Sequence, residues 1–210
     1  MDHYRPAVIL DSDFKYSTRS LISWSVTFGI NQPARLELAI GKARPFDLVF
    51  EVGANEGSAD LGGLPITRLS LKHGAGKQSI NFSSPNPQAM DQLTVTAGAT
   101  DLEIRNLANA NFAEMFAEGG AATFRLDFSG TLARDAAVRV TTGMAAVELN
   151  VPATTSATIT TETTLGSAEV GDGFMKKGGA FCNEAALAGK TPTLTIRASV
   201  AMGSIRLRAV

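Results

Sequence analysis

The sequence predicts an all-β chain that folds as a single parallel β-solenoid of about seven repeats, each built from a strand, a glycine turn and a second strand. Two observations predict this fold. Apolar and polar residues alternate along short segments, which is the period of a half-buried strand. Glycines punctuate these segments 21 to 24 residues apart, before one longer interval of 37 residues. The repeat glycines are Gly53, Gly74, Gly98, Gly120, Gly143, Gly166 and Gly203.

The two clearest repeats, residues 93–104 and 138–149, match position for position. Each has apolar, polar and apolar residues, two spacers, a glycine, three spacers, and then apolar, polar and apolar residues again. A unit of this size cannot bury its own apolar face, so each unit must stack on the next. For parallel crossovers we expect a right-handed coil. An antiparallel sandwich, which also has turns at regular intervals, is the alternative fold.

Stacking in register would align equivalent positions into rows that run across the strands. We expect glycine at the turns because it tolerates a positive φ. The predicted inward row is Leu61, Ile80, Ile104, Leu126, Leu149 and Leu207. The predicted outward row, whose middle members alternate in charge, is Asp60, Asn81, Glu103, Arg125, Glu148 and Arg206.

The chain divides into an N-terminal cap, residues 1–45, and the solenoid repeats, residues 46–210. Open ends of a solenoid expose unpaired strand edges, and these must be covered or paired. Within the cap, the alternating segment 22–28 contains the only tryptophan, Trp24, and predicts an entry strand. Residues 1–20 are polar, and we expect a ragged end or a short hairpin there.

The longest break in the period is an insertion, residues 171–192. Loops that interrupt a repeat often carry function, so Phe174, Lys176, Lys177 and Phe181 form a candidate interaction loop. The alternative is structural: Phe174, Met175 and Phe181 would fold back over the core while both lysines stay in water.

Few residues in the sequence suit catalysis or metal binding. The chain has a net charge of −1, one cysteine and two histidines. We expect His3 and His73 to be exposed, and Cys182 to be a partly buried thiol with no base beside it. The balanced charge gives no case for nucleic acid, and no stretch is long and apolar enough for a membrane helix. We therefore predict no enzyme activity, no cofactor and no metal.

Several glycine-anchored segments resemble the bacterial toast-rack domains and the related LiaF-like, cell-wall-active antibiotic response and putative adhesin domains. The segments are residues 48–54, 59–64, 165–170 and 201–207. The resemblance covers most of residues 24–210. It implies a parallel β-solenoid in a bacterial envelope, often next to membrane helices, and it brings no catalytic residues. Some LiaF-like members restrain envelope-stress signalling.

The predicted function is a non-enzymatic module of the bacterial cell envelope or surface that acts as a rigid scaffold for binding a protein or a glycan. Oligomers could form through the open ends of the solenoid. One alternative is a LiaF-like regulatory domain that contacts a sensor. The other is a carbohydrate-active β-helix enzyme, for which the outward row with Asp60, Glu103, Arg125 and Glu148 would be the nearest candidate site.

Overall fold

The computed structural model describes strand residues 7–10, 21–28 and 32–39 and the continuous stretch 44–210. These residues form an all-β fold with one four-residue helix, α1 (Glu184–Leu187), and one 3-10 turn at Leu107–Ala110. The strands are β1 (Ala7–Leu10), β2 (Leu21–Phe28), β3 (Gln32–Ala39), β4 (Phe46–Asp60), β5 (Ile66–Asn81), β6 (Met90–Arg105), β7 (Phe112–Asp127), β8 (Ala136–Val151), β9 (Ser156–Val170), β10 (Phe174–Lys177), β11 (Ala180–Asn183) and β12 (Thr193–Ala209).

Among the described residues, ten strands make one sheet in the order β1-β4-β5-β6-β7-β8-β12-β9-β11-β10. Every pair from β1 to β9 in that order is parallel, whereas the pairs β9–β11 and β11–β10 are antiparallel. The predicted all-β, mainly parallel character is therefore confirmed. Each long strand carries a repeat glycine within its length, and we call the residues before and after it the first arm and the second arm.

Both arms of β5 to β8 and of β12 bury about one residue in two against a common core, whereas the second arm of β9 is exposed. In the first arm, one row of register partners is at most 3% exposed: Leu48, Leu69, Leu93, Met115, Val138, Ile196 and Ile159. In the second arm, Ile104 and Leu149 are completely buried, as the alternation predicts. Such burial contributes about 1.5–3 kcal/mol for each large aliphatic side chain. The core therefore stabilises the stack far more than the surface rows can.

The register corrects both predicted rows at one end. Ala59, and not Leu61, lies opposite Ile80, although Leu61 is also buried two residues farther on. Asn81 lies opposite Arg105, so the partner of Glu103 is Ser79. The predicted rows followed the apolar pattern and not the distance from the repeat glycine. Counted from those glycines, Ala59 and Ile80 both stand six positions on, and Asn81 and Arg105 both stand seven positions on, as in the observed register.

The order of the last strands differs from simple stacking along the chain, because β12 lies between β8 and β9. Burial explains the placement. In the second arm of β12, Ile205 and Leu207 are completely buried, whereas in β9 Ala168 is exposed and Val170 is half-buried. An edge position suits the more polar strand. The more apolar β12 gains a hydrogen-bonded neighbour on both sides.

Most of the repeat glycines do not adopt the positive φ that the sequence predicts, because a positive φ is found only at Gly203 among the seven. The other six lie outside the left-handed region. At four of these six, close approach between strands requires glycine, whereas a Cβ would have room at Gly53 and Gly120. A Cβ on Gly74 would lie 2.7 Å from the carbonyl oxygen of Gly53, and one on Gly143 would lie 3.0 Å from that of Gly120.

At the N-terminal end, β1 pairs in parallel with residues 47–50 of β4. The predicted entry strand is present as β2, but it pairs antiparallel with β3 in a separate hairpin that lies beside β4. The remainder of the predicted cap, with most of residues 1–20, lies outside the described residues. Within the described part of the chain, no helix is long and apolar enough to cross a membrane.

Candidate binding surface

A shallow groove runs across the strands beside five repeat glycines, which we call the glycine column: Gly53, Gly74, Gly98, Gly120 and Gly143. One depression, of about 540 Å³, spans β4 to β6, and a second, of about 600 Å³, spans β6 to β8. Thr96 and Ala97 line both. The two depressions therefore form one groove that crosses five strands.

The glycine column makes the floor of this groove. Register places these five glycines next to one another on successive strands. A side chain on Gly98 would overlap the carbonyl oxygen of Gly74, which is a backbone atom and cannot move aside. The floor is therefore bare backbone, and at Gly74, Gly98 and Gly143 the stacking of the strands requires it.

The wall of the groove is polar and in register: Glu51, Lys72, Thr96, Glu118 and Thr141. Lys72 Nζ lies 2.6 Å from Glu51 Oε1, and both side chains are about half exposed. Thr142 lines the same groove, is only 5% exposed, and has a hydroxyl without a hydrogen-bond partner among the described residues. The groove thus offers carboxylates, hydroxyls and an ammonium group to a ligand.

Polar side chains also lie behind the groove. His73 is 6% exposed, so the prediction of an exposed histidine is wrong; His3 lies outside the described residues. The physical reason is strand alternation, since His73 stands two residues after the buried Leu71 and shares its inward phase, opposite the buried Ala97. Its Nδ1 lies 3.0 Å from Thr100 Oγ1. The buried amide of Gln78 lines a cavity of about 10 Å³ next to His73 and has no partner in the described structure.

The face of the second arm carries a row that alternates in charge: Glu103, Arg125, Glu148, Arg206 and Glu169. Its closest ion pairs are partly diagonal. Arg125 contacts Asp101 at 2.6 Å, Arg206 contacts Glu169 at 2.9 Å, and Arg208 contacts Glu148 at 3.1 Å. Pairs as exposed as these contribute less than about 1 kcal/mol each. The row is therefore a flat face on which charges pair between strands.

Two aspartates have lowered pKa values, and both hold the backbone. Partial burial opposes ionisation of Asp60, but hydrogen bonds from the Ser83 hydroxyl and from the N–H groups of Gly62 and Ser83, together with the charge of Arg105, hold its pKa below the usual value. Asp135 accepts from the Thr193 N–H at 2.7 Å and from the Thr193 hydroxyl at 3.0 Å, which lowers its pKa. Both carboxylates therefore stabilise connections between strands by accepting hydrogen bonds from their backbone N–H groups.

The predicted interaction loop forms the hairpin of β10 and β11. Phe174 and Phe181 are partly buried against the core, whereas Met175 is 59% exposed and does not fold back as the structural alternative supposed. Lys176 and Lys177 are exposed, and Lys176 Nζ lies 5.9 Å from the centre of the Phe181 ring. The hairpin thus covers part of the edge of β9. A binding role for Phe174, Lys176, Lys177 and Phe181 stays a prediction.

Cys182, on β11, is buried, and its sulfur lies 3.8 Å from the Thr158 hydroxyl. In residues 44–210 and the three described N-terminal strands, no group of three or more His, Cys, Asp or Glu side chains is placed to hold a metal ion.

The wall of the groove was not predicted from the sequence. A signal was present, because each wall residue stands two positions before a repeat glycine: Glu51, Lys72, Thr96, Glu118 and Thr141. The types at this position differ, so no motif marks them. Only the register shows that they face one groove.

No protein-family model matches the chain, and no curated protein matches it either. One solved structure is similar: the crystal structure of a putative cell adhesion protein from Clostridium sporogenes, with 19% sequence identity and a TM-score of 0.52. The similarity covers 57% of this chain and 55% of that protein, so it spans about half the length of each. At this identity it shows a shared β-rich fold of the adhesin-like type.

Proposed function

We propose that this chain is a β-solenoid module of a bacterial cell envelope or surface, and that it acts as a rigid, adhesin-like binding scaffold without catalytic activity. Chain length supports the solenoid. A straight 16-residue strand such as β5 would be about 53 Å long. The connection from β4 to β5, residues 61–65, reaches at most about 20 Å. Because β4 and β5 are parallel, so short a connection favours strands that turn back between their ends.

The observation that carries the binding role is the continuous groove along the glycine column. Five strands at a spacing of about 4.8 Å make it about 19 Å long, which suits an extended polymer. Carboxylates, threonine hydroxyls and Lys72 line it, and these groups hydrogen-bond hydroxyl-rich ligands. We infer that the ligand is a surface glycan, and a protein segment is the alternative ligand.

Two similarities support the proposed setting. The solved structure that resembles this chain is described as a putative cell adhesion protein. The repeat segments also resemble toast-rack and LiaF-like domains, which belong to bacterial envelopes. The buried core and the paired charges support a rigid body, because each strand is held in register along both arms.

The test is cosedimentation of the purified chain with insoluble bacterial cell walls. We expect the wild-type chain to sediment with walls that retain their polysaccharides and to stay in solution with walls stripped of them. The variant Thr141→Trp fills the groove and should weaken binding about tenfold or more, which corresponds to about 1.4 kcal/mol.

Ala146→Trp is the matched control. Ala146 lies on the same strand and is also exposed, but it is on the second arm, away from the groove. Its binding should equal that of the wild type. Failure of the wild-type chain to bind either walls or intact cells would refute the binding role. Equal weakening by both variants would place the ligand elsewhere on the surface.

A further inference from the structure

The outer edge of β9 carries an open row of main-chain groups. β12 pairs with β9 along one side from Ser156 to Val170. On the other side, β11 pairs only with Thr158 and Ile159. Between residues 160 and 169, which we call the open segment, no strand in the described part of the chain pairs with this edge. An unpaired edge of this kind is a template for another strand.

An exposed apolar row ends at the same edge. Met144, Met202 and Leu165 lie in register on β8, β12 and β9. They are 58%, 49% and 63% exposed, respectively. Adjacent exposed apolar side chains mark interaction surfaces more often than isolated ones do. Main-chain groups and apolar side chains are thus available together at Leu165.

In the open segment, the positions that face inward are arranged symmetrically about the point between residues 164 and 165. Thr164 and Leu165 are both exposed, so the alternation reverses between them. On one side, Thr161 and Thr163 stand in rows with the buried Ala198 and Val200, and on the other, Ala168 stands in a row with the buried Ile205. A two-fold axis between residues 164 and 165 therefore sets inward positions opposite inward positions.

We propose that two copies of this chain pair antiparallel through their open segments, with a two-fold axis between Thr164 and Leu165. This register sets Glu162 opposite Ser167 of the second copy and Glu169 opposite Thr160 of the second copy. Each carboxylate then faces a hydroxyl donor. The pairing spans residues 160–169, so it begins where the cover provided by β11 ends. The two Leu165 side chains meet beside the axis.

Other arrangements fit less well. Moving the register by two residues keeps the phase but sets Glu162 opposite Glu169, and like charges directly opposite are destabilising. Head-to-tail stacking of β9 on β4 in the register of the sheet would set Glu162 beside Glu51. Residues 51–60 of β4, which lie beyond its pairing with β1, carry three acidic residues and no basic one. A two-fold pair also closes the assembly, whereas head-to-tail contacts continue into filaments.

Sedimentation velocity of the full chain over a range of concentrations tests this inference. We expect a monomer–dimer equilibrium without larger species. Leu165→Lys sets two ammonium groups beside the axis and should raise the dimer dissociation constant about tenfold or more. Met144→Lys is the matched control, because Met144 is equally exposed in the same row but two strands from the edge. It should leave the dimer intact.

Mild oxidation of Leu165→Cys gives a second readout that does not depend on the lysine variant. The two thiols lie beside the axis and should cross-link the dimer, whereas wild-type Cys182 is buried and should not. A wild-type chain that stays monomeric at every concentration would overturn the proposal. Filaments, equal loss of the dimer in both lysine variants, or no cross-link through position 165 would overturn it as well.

Discussion

The glycine column allows a sharp test of strand stacking, because Gly98 and Gly120 occupy the same row and differ in one respect. Neither has a positive φ, so alanine meets no backbone strain of that kind at either position. A Cβ at position 98 overlaps the Gly74 carbonyl oxygen, whereas a Cβ at position 120 lies 3.7 Å from the Gly98 carbonyl oxygen, an ordinary contact. The two alanine variants therefore separate the clash from the change of residue.

For Gly98→Ala we expect a loss of about 2 kcal/mol in unfolding free energy. Overpacking against atoms that cannot move costs roughly 1–3 kcal/mol, and overlap with a backbone oxygen places Gly98→Ala near the upper end of that range. The reduced entropy of the unfolded chain offsets about 0.4–1 kcal/mol of the cost. For Gly120→Ala only the entropic gain remains, so stability should be unchanged or higher by about 0.4–1 kcal/mol. In a chain of 210 residues, each kcal/mol shifts the thermal midpoint by about 2–4 °C.

The assay is unfolding in urea and on heating, followed by circular dichroism, with equal m-values required for the comparison. Gly98→Ala should melt roughly 4–8 °C below the wild type. If both variants lost the same stability, the close approach of backbone carbonyls would not explain the glycines. If neither alanine variant lost stability, adjacent strands would be farther apart than the structure places them.

Two further predictions concern the core and pH. Ile104→Asp sets an unpaired carboxylate in a fully buried row and should lower the unfolding free energy by several kcal/mol. Arg139→Ala, at an exposed position, should change it by less than about 0.5 kcal/mol. Equal midpoints of the two variants in thermal melts would contradict the inward position of Ile104. The pKa of Asp60 is lower in the folded chain, so its contribution to stability is present above the unfolded pKa and is lost as pH falls through the folded pKa. Asp60→Asn should flatten the dependence of the urea midpoint on pH in this acidic window, and an unchanged slope would show that other carboxyls dominate it.

Much of the first and second arms could be predicted from local pattern. Alternation around Gly98 and Gly143 placed Ile104 and Leu149 inward, because the period of a strand is two residues and needs no knowledge of its neighbours. The rows failed at Leu61 and Asn81, because these residues were aligned with partners that stand two positions nearer to their own repeat glycine. The exposure expected for His73 was wrong because the alternation through Leu69 and Leu71 continues to His73 and sets it inward.

The candidate surfaces were less accessible to sequence reasoning. The insertion was visible because it breaks the period, but its pairing with β9 was not. The wall of the groove combines Glu51 and Thr141, which are 90 positions apart in the chain and share no motif. What joins them is the register of five strands, and register is a property of pairs of strands.

Local chemistry by itself determined the all-β character, the alternation of buried and exposed side chains and the glycine period, because these depend on residues within one arm. The tertiary structure alone decided which strand lies at the edge. β12 enters between β8 and β9 because Ile205 and Leu207 can then be covered on both sides. The position of β12 depends on how much apolar surface every strand of the sheet buries, so no single segment of the sequence encodes it. It also leaves Leu165 and the edge of β9 open.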